Sequence, residues 1–413
     1  MKSCWEHQKM ANAPIRIIDG DRGTNYPKQS DFSDIGDCLF LNTGNVTEGG
    51  FDFSKCQFIS KAKDEVLRKG KLDREDVIMT TRGTIGNVAY FNAAVPFESI
   101  RINSGMVIFR SDLRFILPSF LYQFFRSPQF NGQVNSLKTG AAQPQLPIRD
   151  IKCIDVPIPP LDQQRKIADT LSTYDDLIEN NRRRIQLLEE SARLLYKEWF
   201  VHLRFPGHEH VKLTAGVPQG WERKLIEQVC GTIGGGTPST AIPSFWENGD
   251  VTWVVPTDVT RNDCLALLDS QTKITESGLR GSSAKMLPPN AILMTSRASV
   301  GFFALVDRPV CTNQGFISIV PHDDDARMFM LHNLLYRVEE IRGNASGSTF
   351  KEISKGRFRA MDIVMPTKTL LTQFNEFSDG ILQQVRVLRK QNAKLTRARD
   401  LLLPRLMSGE LVA

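Results

Sequence analysis

Two stretches of the chain carry apolar residues at the alternating three- and four-residue spacing of a long helix. The first extends from residue 162 to about residue 202 and contains no glycine or proline. Its apolar stripe continues for more than four heptads, which predicts a coiled-coil seam. The seam positions are Ile167, Leu171, Tyr174, Ile178, Asn181, Ile185, Leu188, Ala192, Leu195 and Trp199. Asn181 is the polar member, and a buried asparagine in such a seam fixes register at some cost in stability.

A weaker stripe with similar spacing extends from about residue 371 to residue 406. Its apolar positions are Phe374, Phe377, Ile381, Leu388, Leu395, Ala398 and Leu402, with Gln384 and Gln391 in the gaps. The first helix would be about 60 Å long for about 40 residues, too long to bury its stripe in one small domain. We therefore expect the two helices to pack as an antiparallel coiled coil. The alternative is that each helix covers its own domain.

The rest of the chain shows short apolar runs bounded by turn residues, a pattern typical of strands. The runs are residues 38–41, 77–79, 106–109, 251–255 and 316–320, and short helices are predicted near 118–125 and 326–341. The pattern predicts an α+β fold with two β-rich mixed domains and two long helices. We place the first domain at residues 1–158, a central helical spacer at 159–205, the second domain at 206–366 and a C-terminal helical spacer at 367–413.

The two β-rich domains carry an internal repeat. Residues 77–86 and 292–301 share four of ten identities at an offset of 215, and the other six positions keep their chemical type. Three further matches follow in the same order: Trp5-Glu6 with Trp221-Glu222, residues 103–105 with 313–315, and 156–159 with 363–366. Four ordered matches at a period this long predict two copies of one whole domain rather than a solenoid.

Composition and charge narrow the class of protein. With 41% hydrophobic and 24% charged residues the chain is not disordered throughout. No apolar run is long enough to span a membrane, the N-terminus lacks the core of a signal peptide, and seven scattered cysteines form no CxxC pair. We expect a cytoplasmic protein. Residues 161–205 hold eight basic and eight acidic residues, so the helices are not a basic zipper.

Motifs for catalysis are missing from the sequence. There is no Asn/Asp-Pro-Pro-aromatic pocket for amine methylation and no GxxxxGK[ST] phosphate loop. The glycine run at 234–238 lacks the lysine, the acidic run at 323–325 is typical of a solvated turn, and no histidine pairs with cysteine at ligand spacing. We therefore predict no catalytic residue, no metal site and no cofactor on this chain.

Polar loops remain as candidates for binding DNA. Arginine and lysine can pair with guanine, and asparagine and glutamine with adenine. The candidates in the first copy are Arg22, Asn25, Tyr26, Lys28, Gln29, Lys138 and Gln143, and those in the second are Thr237, Ser239, Thr257, Arg261, Ser348 and Lys351. The alternative is that these are solvated surface loops without a ligand.

Arg82 and Arg297 stand at matching positions of the repeat. Each follows an apolar strand and begins a turn of small residues that includes Thr84 or Ser299. One interpretation is a phosphate contact from the strand end; the other is a structural arginine that bonds local carbonyls. Positions shared by both copies should serve the fold or phosphate contacts, and positions that differ should carry base specificity.

Several longer motifs are specific to one family. They are residues 161–167 (LDQQRKI), 176–180 (DLIEN), 194–200 (LLYKEWF), 204–207 (RFPG), 218–222 (PQGWE) and 402–411 (LLPRLMSGEL). Over its whole length the chain resembles the specificity (S) subunit of Type I restriction–modification systems, the HsdS family.

The resemblance implies a function for each part. Each β-rich domain would be a target-recognition domain that reads one half of a split, asymmetric site in double-stranded DNA. The helices would set the gap and dock two methyltransferase (M) subunits, through residues that include Ile167, Leu171, Ile178, Asn181, Ile185, Leu188, Leu195, Trp199, Ile381, Leu388, Leu395 and Leu402. S-adenosylmethionine, ATP and magnesium would belong to the M subunits and to restriction (R) subunits that join through them.

Two other readings of the sequence stay open. An interaction scaffold, with a helical hairpin and two protein-binding heads, would fit the balanced charge of residues 206–369. A free-standing DNA enzyme is disfavoured by the missing motifs. Steeply salt-dependent DNA binding would distinguish the first function from the scaffold.

Overall fold

The computed structural model of the protein describes residues 5–140, 144–347 and 349–411. It divides into two compact units: unit 1 comprises residues up to 177 together with those from 395 onwards, and unit 2 comprises residues 178–394. The two long helices, which contribute residues to both units, are α5 (Leu161–Tyr196) and α12 (Lys368–Met407). The predicted borders at 158 and 366 fall shortly before these helices, and the four-part division remains a prediction.

Unit 1 contains eleven short strands and four short helices among its described residues. The strands are β1 (Glu6–Lys9), β2 (Ile15–Asp19), β3 (Cys38–Leu41), β4 (Val46–Thr47), β5 (Gly50–Phe51), β6 (Phe58–Ile59), β7 (Val77–Thr80), β8 (Val88–Tyr90), β9 (Ile100–Ile102), β10 (Met106–Ser111) and β11 (Asp155–Ile158). The helices are α1 (Lys61–Val66), α2 (Pro118–Phe125), α3 (Pro128–Leu137) and α4 (Ile148–Ile151).

The strands of unit 1 form two layers. An antiparallel sheet has the order β2-β10-β7-β8, and a three-stranded sheet, with β3 and β9 parallel, has the order β6-β3-β9. Strand β7 is buried along its whole length: Val77 and Met79 pack in the cluster that contains α2, whereas Ile78 packs in the cluster of β3 and β9. Burial on both faces explains why the strand reads as a continuous apolar run rather than an alternating one.

Unit 2 repeats this plan. Its strands are β12 (Leu213–Thr214), β13 (Val217–Pro218), β14 (Glu222–Leu225), β15 (Cys230–Gly234), β16 (Val251–Val254), β17 (Lys273–Ile274), β18 (Ile292–Thr295), β19 (Phe303–Leu305), β20 (Cys311–Thr312), β21 (Phe316–Pro321) and β22 (Asp362–Met365). Its short helices are α6 (Ile226–Val229), α7 (Pro256–Thr260), α8 (Glu276–Arg280), α9 (Arg327–Tyr336), α10 (Val338–Gly343) and α11 (Lys355–Arg359).

The two larger sheets of unit 2 have the same strand order as those of unit 1. They are β15-β21-β18-β19 and β17-β16-β20, and β14 pairs with β22 as β1 pairs with β11. The predicted repeat and the α+β class are therefore confirmed. All five apolar runs form strands, and the helix predicted at 118–125 is present, whereas that near 326–341 is split into α9 and α10.

The two long helices run antiparallel within each unit. In unit 2 the Asn181 amide hydrogen-bonds Asn392, and the rings of Tyr196 and Phe374 lie 6.1 Å apart, so early residues of α5 meet late residues of α12. In unit 1 the carboxylate of Asp175 accepts from Arg399 at 2.7 Å. The predicted antiparallel pairing is confirmed. Helix α5 ends at Tyr196, earlier than predicted, and continues as a π-helical turn over Lys197–Val201.

The stripe predicted on the second helix is wrong in part. Phe377 is 49% exposed, and Gln384 and Gln391 are also exposed. The buried positions of α12 in unit 2 step by three and four and include Leu371, Phe374, Ser378, Ile381, Val385, Leu388 and Asn392. The seam is thus a regular heptad repeat that the sequence pattern concealed, because Ser378 and Asn392 are polar and Phe377, which is apolar, faces outward.

Candidate nucleic-acid interface

In unit 1 several strand ends meet at one edge of the domain, which we call the strand-end edge. Strands β2, β3, β7 and β9 finish there and β10 begins there, as the pairings of Asp19 with Val107 and of Thr80 with Met106 show. Arg22 lies three residues after the end of β2. Its Nη2 donates a hydrogen bond to the Ser104 carbonyl at 3.3 Å. Turns that are distant in sequence are thereby brought together at this edge.

Arg82 lies at the same edge beside the loop that contains Lys138. Residues Arg82 and Gln145 form a β-bridge, and Leu146 donates its backbone N–H to the Thr81 carbonyl at 3.0 Å. Thr84 follows in the exposed turn, and its carbonyl accepts the hydroxyl of Thr80. The structure therefore brings together candidates that are more than 50 residues apart in the chain.

Unit 2 builds an equivalent strand-end edge. Residues Arg297 and Glu352 form a backbone β-bridge, as Arg82 and Gln145 do in unit 1. The Ala298 N–H donates to the Lys351 carbonyl at 2.9 Å. Ser299 repeats the role of Thr84, because its carbonyl accepts the hydroxyl of the threonine that ends β18. Both strand-end edges thus hold an exposed arginine, a turn that contains a threonine or serine, and a loop from the C-terminal part of the domain.

Arg22 and Thr237 occupy equivalent positions of the repeat, at the offset of 215. Arg22 stands three residues after the end of β2, and Thr237 stands three residues after the end of β15, the matching strand of unit 2. Arg22 bonds Ser104, and the Thr237 hydroxyl donates to Gln314 Oε1 at 2.5 Å. Thr257 also belongs to this edge, since it follows Pro256 in α7, and Pro256 lies beside Gly315.

Two asparagines at this edge shape its turns, a role that the sequence analysis did not predict. Asn103 and Asn313 each accept the N–H of the glycine two residues later, Gly105 and Gly315, at 2.9 Å. The repeat already paired these segments in the sequence, so the signal was present. Their bonds shape the turn in both units, as expected for positions shared by both copies.

The other predicted residues lie in the loops of the two units, and their surroundings differ. Tyr26 is half-buried with its ring edge-on to Phe40 at 5.9 Å, and Asn25 donates weakly to a carbonyl of α1 at 3.5 Å. Lys28 and Gln29 are exposed at a 3₁₀ turn. Ser239 is exposed, and Arg261 lines a cavity of about 310 Å³ after α7. Gln143 and Ser348 lie outside the described residues.

The two shared arginines are exposed at the surface. Across residues 5–140, 144–347 and 349–411, the side chains of Arg82 and Arg297 donate no hydrogen bond to a carbonyl. Within these ranges nothing therefore supports the alternative interpretation, a structural arginine that bonds local carbonyls. Arg297 is 3.7 Å from the Glu352 carboxylate, with both side chains about half exposed. An exposed pair of this kind contributes little to stability and leaves the guanidinium available.

The predicted helix residues lie mostly on the buried seam. The buried ones are Ile167, Leu171, Ile178, Asn181, Ile185, Ile381 and Leu388, and the half-buried ones are Leu188, Leu195, Trp199, Leu395 and Leu402.

Two acidic residues of α5 have shifted pKa values. Burial opposes the ionisation of Asp175, which joins the helices in unit 1, but hydrogen bonds from Arg126 and Arg399 and the charge of Arg126 hold its pKa below the usual range. Burial raises the pKa of Glu189, which accepts the Leu265 N–H at 2.6 Å, to about 7.

The outer faces of the helices carry exposed apolar side chains. Those with the greatest exposure are Leu177, Leu187 and Leu194 on α5, and Phe377, Val387 and Leu401 on α12. Leu187, 70% exposed, and Leu194 are seven residues apart and so share one face of α5. Exposed apolar residues that share a helix face are typical of an interaction surface.

The described residues hold neither a cluster of metal ligands nor a membrane-spanning helix. No group of three or more potential ligands is arranged to hold a metal ion among residues 5–140, 144–347 and 349–411. In that same part of the chain no helix combines the length and hydropathy needed to cross a bilayer.

A duplicated α+β domain, with matching arginine-bearing edges and an antiparallel helix pair, defines a two-module recognition protein. A family model described as the Type I restriction modification DNA specificity domain matches residues 17–190 and again residues 218–373. The chain belongs to this family of specificity subunits, which are themselves non-catalytic, and the two matched segments correspond to its two recognition domains.

Known relatives agree with this assignment. The specificity subunit of the Type I restriction enzyme HindI from Haemophilus influenzae is 24% identical over 457 aligned residues, which cover 95% of this chain and 98% of that protein. The MjaIX specificity subunit from Methanocaldococcus jannaschii is 30% identical over 42% of each chain. A crystal structure of a Type I S subunit from M. genitalium matches with a TM-score of 0.59 at 17% identity, over 97% of this chain and 96% of that one, and so shares the fold.

Proposed function

We propose that this subunit reads a bipartite site in double-stranded DNA, one half with each recognition domain. The observation that carries the proposal is the duplicated strand-end edge, where Arg82 and Arg297 stand exposed at equivalent positions. Duplication of a binding edge in one chain suits a target with two separate half-sites. Half-sites about one helical turn apart, roughly 34–36 Å, would present themselves on the same side of the duplex.

Within each edge we assign separate roles. Arg82 and Arg297 contact phosphates, because they are shared by both copies and a phosphate contact carries no sequence information. Base readout falls to the positions that differ, including Arg22 against Thr237 and Lys138 with Gln143 against Ser348 with Lys351. Asn25, Lys28, Gln29, Ser239, Thr257 and Arg261 are further candidates for contacts, whereas the packing of Tyr26 favours a supporting role.

We further propose that the helix pair sets the gap between half-sites and docks two methyltransferase subunits. The seam residues face the interior, so docking falls to exposed residues such as Leu187 and Leu194. S-adenosylmethionine, ATP and magnesium would be bound by the methyltransferase subunits and by restriction subunits attached through them, and the assembly would act in the cytoplasm.

A map of methylated adenines tests the main proposal. Cells containing the methyltransferase subunit would be compared with and without this chain. We expect a split motif that is methylated only when the chain is present, and this motif would give both half-sites and the gap. Unchanged methylation, together with DNA binding that does not depend on salt, would favour the scaffold function instead.

A separate measurement tests the docking surface. Leu187→Asp places a charge on the exposed face of α5, and we expect weaker association with the methyltransferase subunit in size-exclusion chromatography. Leu213→Asp is the matched control, because Leu213 is also an exposed leucine (59%) but lies in β12. Equal association of the two variants would contradict docking at this face.

A further inference from the structure

A notch lined by three cationic side chains lies beside the strand-end edge of unit 1. It has a volume of about 400 Å³ and forms where the loop after β2 meets the loop before Gly70. Arg22, Arg68 and Lys69 line it together with Asp19 and Asp21, and all three cationic side chains are exposed. Arg22 pairs with Asp19 at 3.3 Å. Arg68 and Lys69 were not among the residues predicted to contact DNA.

A buried carboxylate ties the two loops together. Asp21 is 5% exposed, and its two oxygens accept three backbone N–H groups: Gly23 at 2.6 Å, Arg68 at 2.6 Å and Lys69 at 3.3 Å. Burial opposes ionisation of Asp21, but these hydrogen bonds and the charge of Arg68 hold its pKa below the ordinary value. The conformation of residues 68 and 69 therefore depends on an ionised side chain from the other loop.

A buried arginine holds the same loop from inside the domain. The guanidinium of Arg101 donates to the carbonyls of Lys69 at 2.7 Å and Leu67 at 3.0 Å, and it also pairs with the Asp64 carboxylate. The polar backbone groups of the loop are thus satisfied internally. Throughout the described ranges the side chains of Arg68 and Lys69 have no ion-pair or hydrogen-bond partner, so their charges are free to meet an anion.

In the described part of the second recognition domain, close-packed neutral residues stand at the position equivalent to the notch. At the repeat offset of 215, Asp21 and Arg22 correspond to Gly236 and Thr237, and Arg68 and Lys69 correspond to Ser283 and Ala284. There the two loops pack in direct contact: a Cβ atom on Gly236 would lie 2.4 Å from the Ala284 nitrogen. Neutral, close-packed groups replace the three cations, so this feature distinguishes unit 1 from unit 2.

We propose that Arg68 and Lys69 in the notch bind phosphate groups of the DNA backbone and that Asp21 is a positioning residue, which presents these two side chains to the duplex. Arg22 keeps the base-reading role proposed above. The inference rests on the proposed DNA-binding function and deepens it. It makes unit 1 the domain that contributes more of the salt-dependent affinity, because each phosphate neutralised by a cation releases counterions.

The test uses the full chain assembled with methyltransferase subunits and follows fluorescence anisotropy on cognate and unrelated duplexes between about 50 and 200 mM salt. The double variant R68Q/K69Q should weaken binding to both duplexes and reduce the slope of log affinity against log salt by about two, roughly one for each lost contact. The control is R16Q/R114Q, which removes the same charge: Arg16 is near the start of β2 and Arg114 lies beyond the end of β10, both away from the strand-end edge. Its slope should stay at the wild-type value.

Asp21→Asn separates positioning from simple electrostatics. The substitution removes a negative charge, so it would tighten DNA binding if Asp21 merely repelled phosphate. If Asp21 positions the loop, affinity and salt slope both fall despite the added positive charge. Thermal unfolding and methyltransferase assembly report whether the variant is folded, and if it is not, R68Q/K69Q decides the matter.

Two results would overturn the notch: a double variant whose slope matches the control, or a folded Asp21→Asn variant that binds more tightly than wild type. If the wild-type complex bound no duplex at all, the proposed function itself would fail and the notch with it.

Discussion

The side-chain amides of Asn181 and Asn392 meet inside the helix pair of unit 2. Nδ2 of Asn181 donates to Oδ1 of Asn392 at 2.9 Å, and Nδ2 of Asn392 donates to the Ile178 carbonyl at 3.2 Å. Both residues are buried. A polar pair in an apolar seam is satisfied in only one alignment of the helices, so it specifies the register of α5 against α12.

Replacing one asparagine should cost more than replacing both. Asn181→Leu leaves the Asn392 amide buried and partly unpaired, and we expect a loss of about 1–3 kcal/mol in the free energy of unfolding. The pair Asn181→Leu with Asn392→Leu removes both polar groups and should recover most of this loss. Denaturant unfolding of the full chain measures each variant, and additive losses would show that the two amides are not coupled.

Arg82→Ala and Arg297→Ala should each weaken DNA binding on every sequence alike. A phosphate contact has no base preference, so the salt slope should fall by about one for each variant. Arg16→Ala serves as the control, because Arg16 is also exposed but stands at the opposite end of β2. Selective loss on one half-site sequence would instead assign base readout to the arginine, and unchanged affinity in both variants would reject the phosphate role.

A heptad inserted into the helices should change the DNA target. Seven residues placed after Asn181 and seven placed before Asn392 keep the seam in phase and lengthen the pair by about 10 Å. At 3.4 Å per base pair we expect the gap between half-sites to grow by about three base pairs, or activity to be lost. Methylation mapping detects the new gap; an active variant that keeps the original gap would show that the helices do not set the spacing.

His332 predicts a loss of stability in mild acid. The ring is 3% exposed, its two nitrogens have no hydrogen-bond partner among the residues that the structure describes, and burial lowers its pKa from 6.5 to about 4. The folded state binds the proton more weakly than the unfolded state does. The contribution of the neutral ring to the free energy of unfolding is therefore fully present above pH 6.5 and is lost as the pH falls towards 4, a loss of about 3 kcal/mol. The melting temperature of His332→Leu should therefore fall less than that of wild type between these pH values. Parallel curves for the two proteins would contradict this assignment.

Secondary-structure elements were predicted well where the pattern that forms them is continuous in the sequence. Strand β7 and helix α2 were found because their apolar runs or turns are continuous in the chain. The seam of α12 was misplaced at Phe377, since a hydrophobic pattern cannot reveal that Asn392 is buried opposite another asparagine. Polar residues in a seam carry a signal only when the partner helix is known.

The candidate site could be predicted only in part for a related reason. The repeat alone identified Arg82 and Arg297. The notch of Arg68 and Lys69 depends on Asp21, 47 residues away in the chain, and on the parallel pairing of β3 with β9, which no local pattern encodes. Loop residues acquire a function from the strands that end beside them, so their roles emerge only once the topology is known.

Unit 1 is closed by residues from the far end of the chain. Leu403, Leu406 and Met407 of α12 are buried in its core, and the Pro404 carbonyl accepts a hydrogen bond from Gln129 at 2.9 Å. During synthesis on the ribosome, unit 2 therefore has all its residues before unit 1 does, although unit 1 begins first. The N-terminal recognition domain lacks these buried side chains until the end of α12 has been made, so its core is completed after that of unit 2.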